Sequence, residues 1–180
     1  RKKIMNLYVV RHGETIWNVE HKVQGITDIP LTEKGRKDAL ELQELISALN
    51  IDVVISSPLK RARETAKILV NNSLPINTDD RIKERDWGMN EGALIDTVDR
   101  WDCWDIILNT KVQNIECIQD FMYRVSSFVE DIKVRYKDSN VLIVTHSAVS
   151  RVIHYLLGTI PEDANLSRID IPNLRIIEYK

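Results

Sequence analysis

Three short runs of apolar, mostly β-branched residues place the strongest constraint on how this chain folds. They cover residues 7–10 (LYVV), 53–55 (VVI) and 141–144 (VLIV). Continuous apolar runs of this length, unlike alternating ones, are typical of strands that are buried on both faces of a sheet. Such strands need helices above and below them. The runs therefore predict a central, largely parallel sheet.

Helical patterns fill the stretches between these runs. Thr32 is placed to cap the first predicted helix, and Ser57 with Pro58 reads as the cap and first turn of the second. Gly158 follows the last helical pattern as a stop. The predicted helices cover residues 32–49, 58–69, 118–132 and about 147–157. Strands that alternate with helices predict an α/β fold, here a three-layer sandwich with a mostly parallel sheet between helices.

Length and composition narrow the classes of protein further. A chain of 180 residues without an internal repeat or linker is expected to form one domain over residues 1–180. Its 25 basic and 27 acidic residues are nearly balanced, so we expect no nucleic-acid partner and no membrane partner. The two cysteines do not form a disulfide framework, which favours a reducing, cytoplasmic compartment.

Polar residues follow each apolar run at the point where the strand should end. Arg11 and His12 come after the first run, Arg61 lies shortly after the second, and His146 and Ser147 come after the third. In an open parallel sheet, ligands bind outside the carboxyl ends of the strands. Two histidines and two arginines should therefore meet in an active site at this edge.

These residue types suit the chemistry of a phosphate ester. Arg11 and Arg61 offer planar groups that can each donate to two oxygens of a phosphoryl group. Their charges disfavour a protonated imidazole, so His12 should be neutral and nucleophilic. Asn18 and the backbone N–H groups that follow His146 can add neutral donors. One histidine can then attack phosphorus while the other stabilises charge.

Four blocks of residues resemble the signature of the histidine phosphatase superfamily, the phosphoglycerate mutase-like family. They occur in the order of that family and span nearly the whole chain. The first block is Arg11-His12-Gly13-Glu14-Thr15-x-Trp17-Asn18, followed by Gln24-Gly25, Asp28-x-Pro30-Leu31-Thr32 and Gly35. The others are Ser56-Ser57-Pro58-Leu59-x-Arg61-Ala62-x-x-Thr65-Ala66, Glu84-x-x-x-Gly88-x-x-Glu91-Gly92 and Thr145-His146.

The resemblance implies a role for each residue of the site. His12 would form a phosphohistidine, and Glu84 would protonate the leaving oxygen and then activate water. Phosphate and substrate would be held by Arg11, Asn18, Gln24, Gly25, Arg61, His146 and Ser147. Neither a metal ion nor a cofactor is implied, and the expected partner is a small phosphorylated metabolite. One departure is His146-Ser147-Ala148, where the family commonly has His-Gly-Gly.

The family contains both hydrolases and mutases, so two activities remain open. Arg85, next to Glu84, is a mutase-like feature that could bind a substrate carboxylate. The segment 89–117, however, contains only Arg100 and Lys111 as cations, whereas a cofactor-dependent phosphoglycerate mutase must hold a second anionic group. This favours a phosphatase.

A third interpretation is a non-catalytic module that binds a phosphorylated ligand, since a fold alone does not establish activity. The occupied catalytic positions argue against it. The tryptophans either line a substrate cavity or pack in the core; they are Trp17, Trp87, Trp101 and Trp104. The sequence leaves the substrate and the oligomeric state open, with a homodimer among the options.

Overall fold

A computed structural model describes residues 5–98, 102–159, 162 and 164–180, and it contains a five-stranded sheet. The strands are β1 (Asn6–Arg11), β2 (Val53–Ser56), β3 (Ile76–Thr78), β4 (Asn140–Thr145) and β5 (Ile176–Tyr179). Their order is β3-β2-β4-β1-β5, and only β5 is antiparallel to its neighbour. The prediction of a mostly parallel sheet is confirmed. The two edge strands, β3 and β5, were not predicted.

Helices lie on both faces of this sheet. They are α1 (Ile16–Val19), α2 (Glu33–Glu41), α3 (Gln43–Ala48), α4 (Lys60–Leu69), α5 (Ile118–Arg135) and α6 (Ser147–Leu157). Short 3-10 helices cover Asp80–Ile82, Gly88–Asn90, Ile95–Thr97, Asp102–Trp104 and Leu166–Arg168. None of the helices in the described part of the chain is both long enough and apolar enough to cross a membrane.

The strands bury their side chains in two separate cores because successive residues of a strand face opposite sides of a sheet. Leu7 and Val9 of β1 pack in one core with α5 and α6, whereas Tyr8 and Val10 pack in the other with α2, α3 and α4. Strands β2 and β4 divide their residues in the same way. The predicted three-layer α/β sandwich is therefore confirmed.

The helix starts were predicted with mixed success. Thr32 caps α2 as expected, since its side chain accepts from the N–H of Gly35 at 2.9 Å. The predicted helix over 32–49 is divided at Leu42 into α2 and α3. The cap predicted at Ser57 and Pro58 is wrong, because α4 begins at Lys60. Asp28, distant in sequence, accepts from the N–H of Lys60 at 2.8 Å and takes the place of a local cap.

The connection between β3 and α5 is irregular, and its described tryptophans belong to the core. Trp87 and Trp104 are buried, with ring centroids 5.6 Å apart. These two therefore pack in the core, which was one of the two predicted roles. Trp101 and the cation Arg100 lie outside the described residues.

Candidate active site

The carboxyl ends of β1, β2 and β4 meet at one edge of the sheet. The N–H of His12 donates to the carbonyl of Thr145, and the N–H of Ser57 donates to the carbonyl of Val144, both at 2.9 Å. The ring centroids of His12 and His146 are 5.2 Å apart, and both rings are buried. Strand register thus brings the two histidines together, although 134 positions separate them in the sequence.

Hydrogen bonds identify which nitrogen of His12 carries the hydrogen and which carries the lone pair. Nδ1 lies 2.7 Å from the carbonyl oxygen of Gly13, and a carbonyl only accepts, so Nδ1 carries the hydrogen. The Nε–H of Arg61 donates to Nε2 of His12 at 3.3 Å. Burial lowers the pKa of His12 well below its ordinary value of 6.5, and the charges of Arg61 and Arg11 lower it further. A neutral imidazole with its lone pair on Nε2 results.

Arg61 reaches the site from the first turn of α4 and is itself held by a loop. Its Nη1 donates to the carbonyl of Thr27 at 2.8 Å, and its Nη2 donates to the carbonyl of Gly25 at 2.7 Å. A Cβ at Gly25 would lie 2.0 Å from Oε1 of Glu91, so the loop passes too close for any side chain. In the structure, Gly25 contributes a backbone carbonyl that orients Arg61, and its predicted contact with phosphate or substrate stays a prediction.

Two buried polar atoms at this edge have no hydrogen-bond partner among the residues that the structure describes. They are Nε of Arg11 and Nδ1 of His146. They belong to adjacent strand ends, because Arg11 pairs with Thr145 in the β1–β4 register. Nη1 of Arg11 donates to the carbonyl of Ile171 at 2.8 Å, which fixes the guanidinium. Buried polar groups are normally hydrogen-bonded, and one tetrahedral oxyanion has enough oxygens for both atoms.

Glu84 lies on the irregular segment that follows β3 and is only 6% exposed. Its Oε1 accepts from the N–H of Arg85 at 2.9 Å and from the N–H of Ala148 at 3.2 Å. Burial raises the pKa of Glu84 above its ordinary value of 4.5, although these hydrogen bonds and the charges of Arg61 and Arg11 oppose the rise. Burial alone therefore favours the protonated form of Glu84 before any ligand binds.

Arg85 does not take the position that was predicted for it. The residue is buried, and its guanidinium donates to the carbonyls of Glu116 (2.8 and 2.9 Å) and Cys103 (2.8 Å). It also stacks on Trp87 and Trp104, with its central carbon 5.3 and 5.0 Å from their ring centroids. This contradicts a role in binding a substrate carboxylate. Sequence proximity to Glu84 did not reveal the direction of the side chain.

The remaining predicted ligands are near the loop that follows His12. The side-chain oxygen of Asn18 accepts from the N–H of Thr15 at 3.0 Å, and the side-chain amide oxygen of Gln24 accepts from the Thr15 hydroxyl at 2.8 Å. Both residues therefore support the loop through Thr15. Ser147 is half-buried as the first residue of α6, and the N–H of the next residue, Ala148, holds Glu84.

Four residues with supporting contacts were not predicted as part of the site. The Thr65 hydroxyl accepts from the N–H of Gly13 at 3.0 Å, and the Asn173 amide donates to the carbonyl of His12 at 2.7 Å. The Ser57 hydroxyl lies 2.7 Å from Nε2 of His146. The fourth, Arg124, donates to the backbone around Glu84. Thr65 and Ser57 stand in the quoted motif blocks, which was the available signal, whereas Asn173 and Arg124 follow no recognisable pattern.

No group of three or more His, Cys, Asp or Glu side chains in the described residues is arranged to hold a metal ion.

Comparison with known proteins identifies the family. The profile described as histidine phosphatase superfamily (branch 1) matches residues 7–180. "Uncharacterized phosphatase PhoE" of Bacillus subtilis (strain 168) is 38% identical over 154 residues, covering 84% of this chain and 75% of that protein. "Probable phosphoglycerate mutase GpmB" of Enterobacter sp. (strain 638) is 32% identical over 163 residues, covering 86% and 76%. The chain belongs to the histidine phosphatase superfamily.

A solved structure agrees with this assignment. Bacillus stearothermophilus YhfR superposes with a TM-score of 0.81 at 34% identity, over 94% of this chain and 87% of that one. The predicted fold class and family are both confirmed. Relatives named as a phosphatase and as a phosphoglycerate mutase support an enzyme that acts on phosphate esters.

Proposed function

We propose that this protein is a metal-independent phosphomonoesterase, which hydrolyses small phosphate esters through a phosphohistidine on His12. The observation that carries the proposal is the hydrogen bonding of His12: Nδ1 donates to Gly13, so Nε2 carries no hydrogen and can attack once its lone pair is released from the Nε–H of Arg61. The guanidinium groups of Arg11 and Arg61 supply positive charge beside it. Glu84 adds a buried carboxyl group near the same arginines.

In the first step, Nε2 of His12 attacks phosphorus while the bond between phosphorus and the ester oxygen breaks. Glu84 in its protonated form transfers its proton to the leaving oxygen, which departs as an alcohol. Arg11 and Arg61 stabilise the negative charge on the other phosphoryl oxygens. A buried carboxyl group with a raised pKa is suited to donate this proton.

In the second step, Glu84 is ionised and removes a proton from water as the water oxygen attacks phosphorus. The bond between phosphorus and Nε2 breaks, inorganic phosphate forms, and both groups return to their starting states. The same carboxyl group thus serves as acid and then as base.

The alternative of a phosphoglycerate mutase requires cations that hold a second anionic group of the substrate. Arg85 cannot serve while it is bound to the carbonyls of Glu116 and Cys103. Glu91 places a negative charge next to the loop that holds Arg61, because its carboxylate accepts from the N–H groups of Ile26 and Thr27. Both observations favour transfer of the phosphoryl group to water.

A non-catalytic binding module would keep the fold and lose the chemistry. Here, a neutral histidine whose Nε2 carries no hydrogen and a buried acid are both retained. We therefore assign catalysis and propose a small phosphorylated metabolite as the substrate. We also propose a cytoplasmic location, because the two cysteines do not form a disulfide framework and so favour a reducing compartment.

The test is hydrolysis of para-nitrophenyl phosphate in the presence of a chelator, between about pH 5 and 8. Rapid quenching without acid should trap an acid-labile phosphoenzyme in the wild type and none in His12→Asn. His21→Asn is the matched control, because His21 is an exposed histidine outside the site. A folded, inactive wild type would overturn the proposal, and an adduct that survives in His12→Asn would move the nucleophile elsewhere.

A further inference from the structure

Ser57 and His146 form a buried pair that the mechanism above does not use. The Ser57 hydroxyl oxygen lies 2.7 Å from Nε2 of His146, and neither residue is exposed to solvent. The same oxygen accepts from the N–H of Leu59 at 3.3 Å. The other ring nitrogen, Nδ1, is buried without a hydrogen-bond partner in the described residues.

The position of one hydrogen decides what this pair can do. Burial and the charge of Arg61 lower the pKa of His146 well below 6.5, so the ring is neutral and carries a single N–H. If that hydrogen were on Nε2, it would point to Ser57 and leave a bare lone pair on Nδ1. A lone pair repels phosphate oxygens, which carry lone pairs of their own. If the hydrogen is on Nδ1, the buried unpartnered atom becomes a donor.

Ser57 is able to select between these two tautomers. Its oxygen accepts the backbone N–H of Leu59, and among the described residues Nε2 of His146 is the acceptor within hydrogen-bond distance of the hydroxyl. We propose that Ser57 donates its hydroxyl hydrogen to Nε2 of His146 and thereby places the ring hydrogen on Nδ1, from which it is donated to the transferred phosphoryl group. The proposal rests on the proposed function for its ligand, while the tautomer itself is independent of turnover. Ser57 is thus a positioning residue that acts through His146.

This arrangement explains how His146 can stabilise an anion without a positive charge. Its ring lies 5.2 Å from that of His12, and the His12 ring gains positive charge as it attacks phosphorus. A charged imidazolium at His146 would repel that positive charge and so oppose the attack. A neutral N–H donor adds a hydrogen bond and no net charge.

Nitrogen chemical shifts of isotope-labelled histidine report the tautomer directly, and the His146 signals are assigned by their loss in His146→Asn. In the ligand-free wild type we expect the hydrogen on Nδ1. In Ser57→Ala we expect a mixture of tautomers or the hydrogen on Nε2, and Ser57→Thr should restore Nδ1. Hydrogen on Nε2 in the wild type, or a tautomer that is unchanged in folded Ser57→Ala, would overturn the proposal.

Activity provides a second measurement. Ser57→Ala should lower kcat/KM by roughly tenfold, which corresponds to about 1.4 kcal/mol and to the loss of one hydrogen bond. Inhibition by vanadate should weaken in parallel. Ser56→Ala is the matched control, because Ser56 is an equally buried serine whose hydroxyl donates to the carbonyl of Ser57 and not to a histidine. An equal loss in Ser56→Ala would overturn the specific role of Ser57.

A wild type without turnover but with the Ser57-dependent Nδ1 hydrogen would support the tautomer and refute only the proposed hydrolysis.

Discussion

The active site has two halves that are held in place by different means. The sheet-borne half comprises Arg11, His12 and His146, whose frame is the hydrogen bonding between strand ends, together with Arg61, which reaches it from the first turn of α4. The loop-borne half is Glu84 on the irregular segment 79–92, where individual side chains bind backbone groups. A strand end is positioned by many repeated contacts, whereas the loop depends on a few. We infer that distant substitutions disturb the acid more readily than the nucleophile.

The largest difference between the halves should appear when the acid itself is removed. We expect Glu84→Gln to lower kcat on alkyl phosphates by about 10²- to 10⁴-fold, the usual worth of a general acid. The loss on an aryl phosphate should be much smaller, because its leaving group needs little protonation. Steady-state kinetics on both substrates measures the ratio, with Asp80→Asn as an exposed carboxylate control on the preceding 3-10 helix. Similar losses on both substrates would contradict the assignment.

At acidic pH, the titratable groups of the two halves should have opposite effects on the free energy of unfolding. His12 and His146 have pKa values lowered well below 6.5 in the folded state, so the unfolded chain binds more protons as the pH falls below about 6.5. Each histidine should then reduce the free energy of unfolding by up to about 1.4 kcal/mol per pH unit. Glu84 acts in the opposite direction, because its raised pKa makes the folded state bind a proton first.

Urea unfolding between about pH 7 and 5.5 measures this slope in the wild type and in a double variant, His12→Asn with His146→Asn. The variant should lose less stability with falling pH than the wild type. Parallel curves for the two proteins would contradict the neutral state of the buried histidines.

In the sheet-borne half, loss of a supporting side chain should lower the free energy of unfolding. It should change the kinetics on alkyl and aryl phosphates to the same extent. Thr65→Val removes the acceptor for the buried N–H of Gly13 and should cost about 2 kcal/mol of unfolding free energy. Thr78→Val, an exposed position on the edge strand β3, is the control. Urea unfolding gives the cost, and kinetics should show equal changes for alkyl and aryl phosphates. A selective loss on alkyl phosphates would break the distinction between the halves.

On the loop-borne half, a supporting side chain should affect the acid selectively. Arg124 donates to the carbonyls of Arg81, Lys83 and Glu84 at 2.6, 2.8 and 3.0 Å, and it pairs with Glu116 at 2.7 Å. We expect Arg124→Met to lower kcat on alkyl phosphates roughly tenfold, the effect of losing about 1.4 kcal/mol of positioning. The aryl phosphate should be less affected.

Arg135→Met is the control for that variant, because Arg135 is an exposed residue at the end of the same helix that pairs with the half-buried Asp131 and, among the described residues, donates to no backbone group of the segment 79–92. Partial recovery in Arg124→Lys would sharpen the assignment. A uniform loss on both substrates would instead indicate general destabilisation of the loop.

The same division explains what the sequence could predict. The apolar runs at 7–10, 53–55 and 141–144 specify the sheet locally, and the polar residues at their ends meet because parallel strands share an edge. Family resemblance added Glu84, which no strand end carries. The direction of a side chain could not be predicted from the pattern. Glu84 lies close enough to Arg11 and Arg61 to be influenced by their charges, whereas the guanidinium of its neighbour Arg85 binds the carbonyl of Glu116. The partner of Ser57 was equally hidden, because His146 lies 89 positions away.

The segment that leads into β5 has a consequence for how the active state forms. Ile171 accepts from Arg11, Asn173 donates to the carbonyl of His12, and the N–H of Leu174 donates to the carbonyl of Arg11 at 2.9 Å. Asn173 lies 161 positions after the histidine that it holds. During synthesis, the proposed nucleophile is therefore made well before the residue that holds it. We infer that its surroundings are complete only when the segment 171–174 has packed against the end of β1.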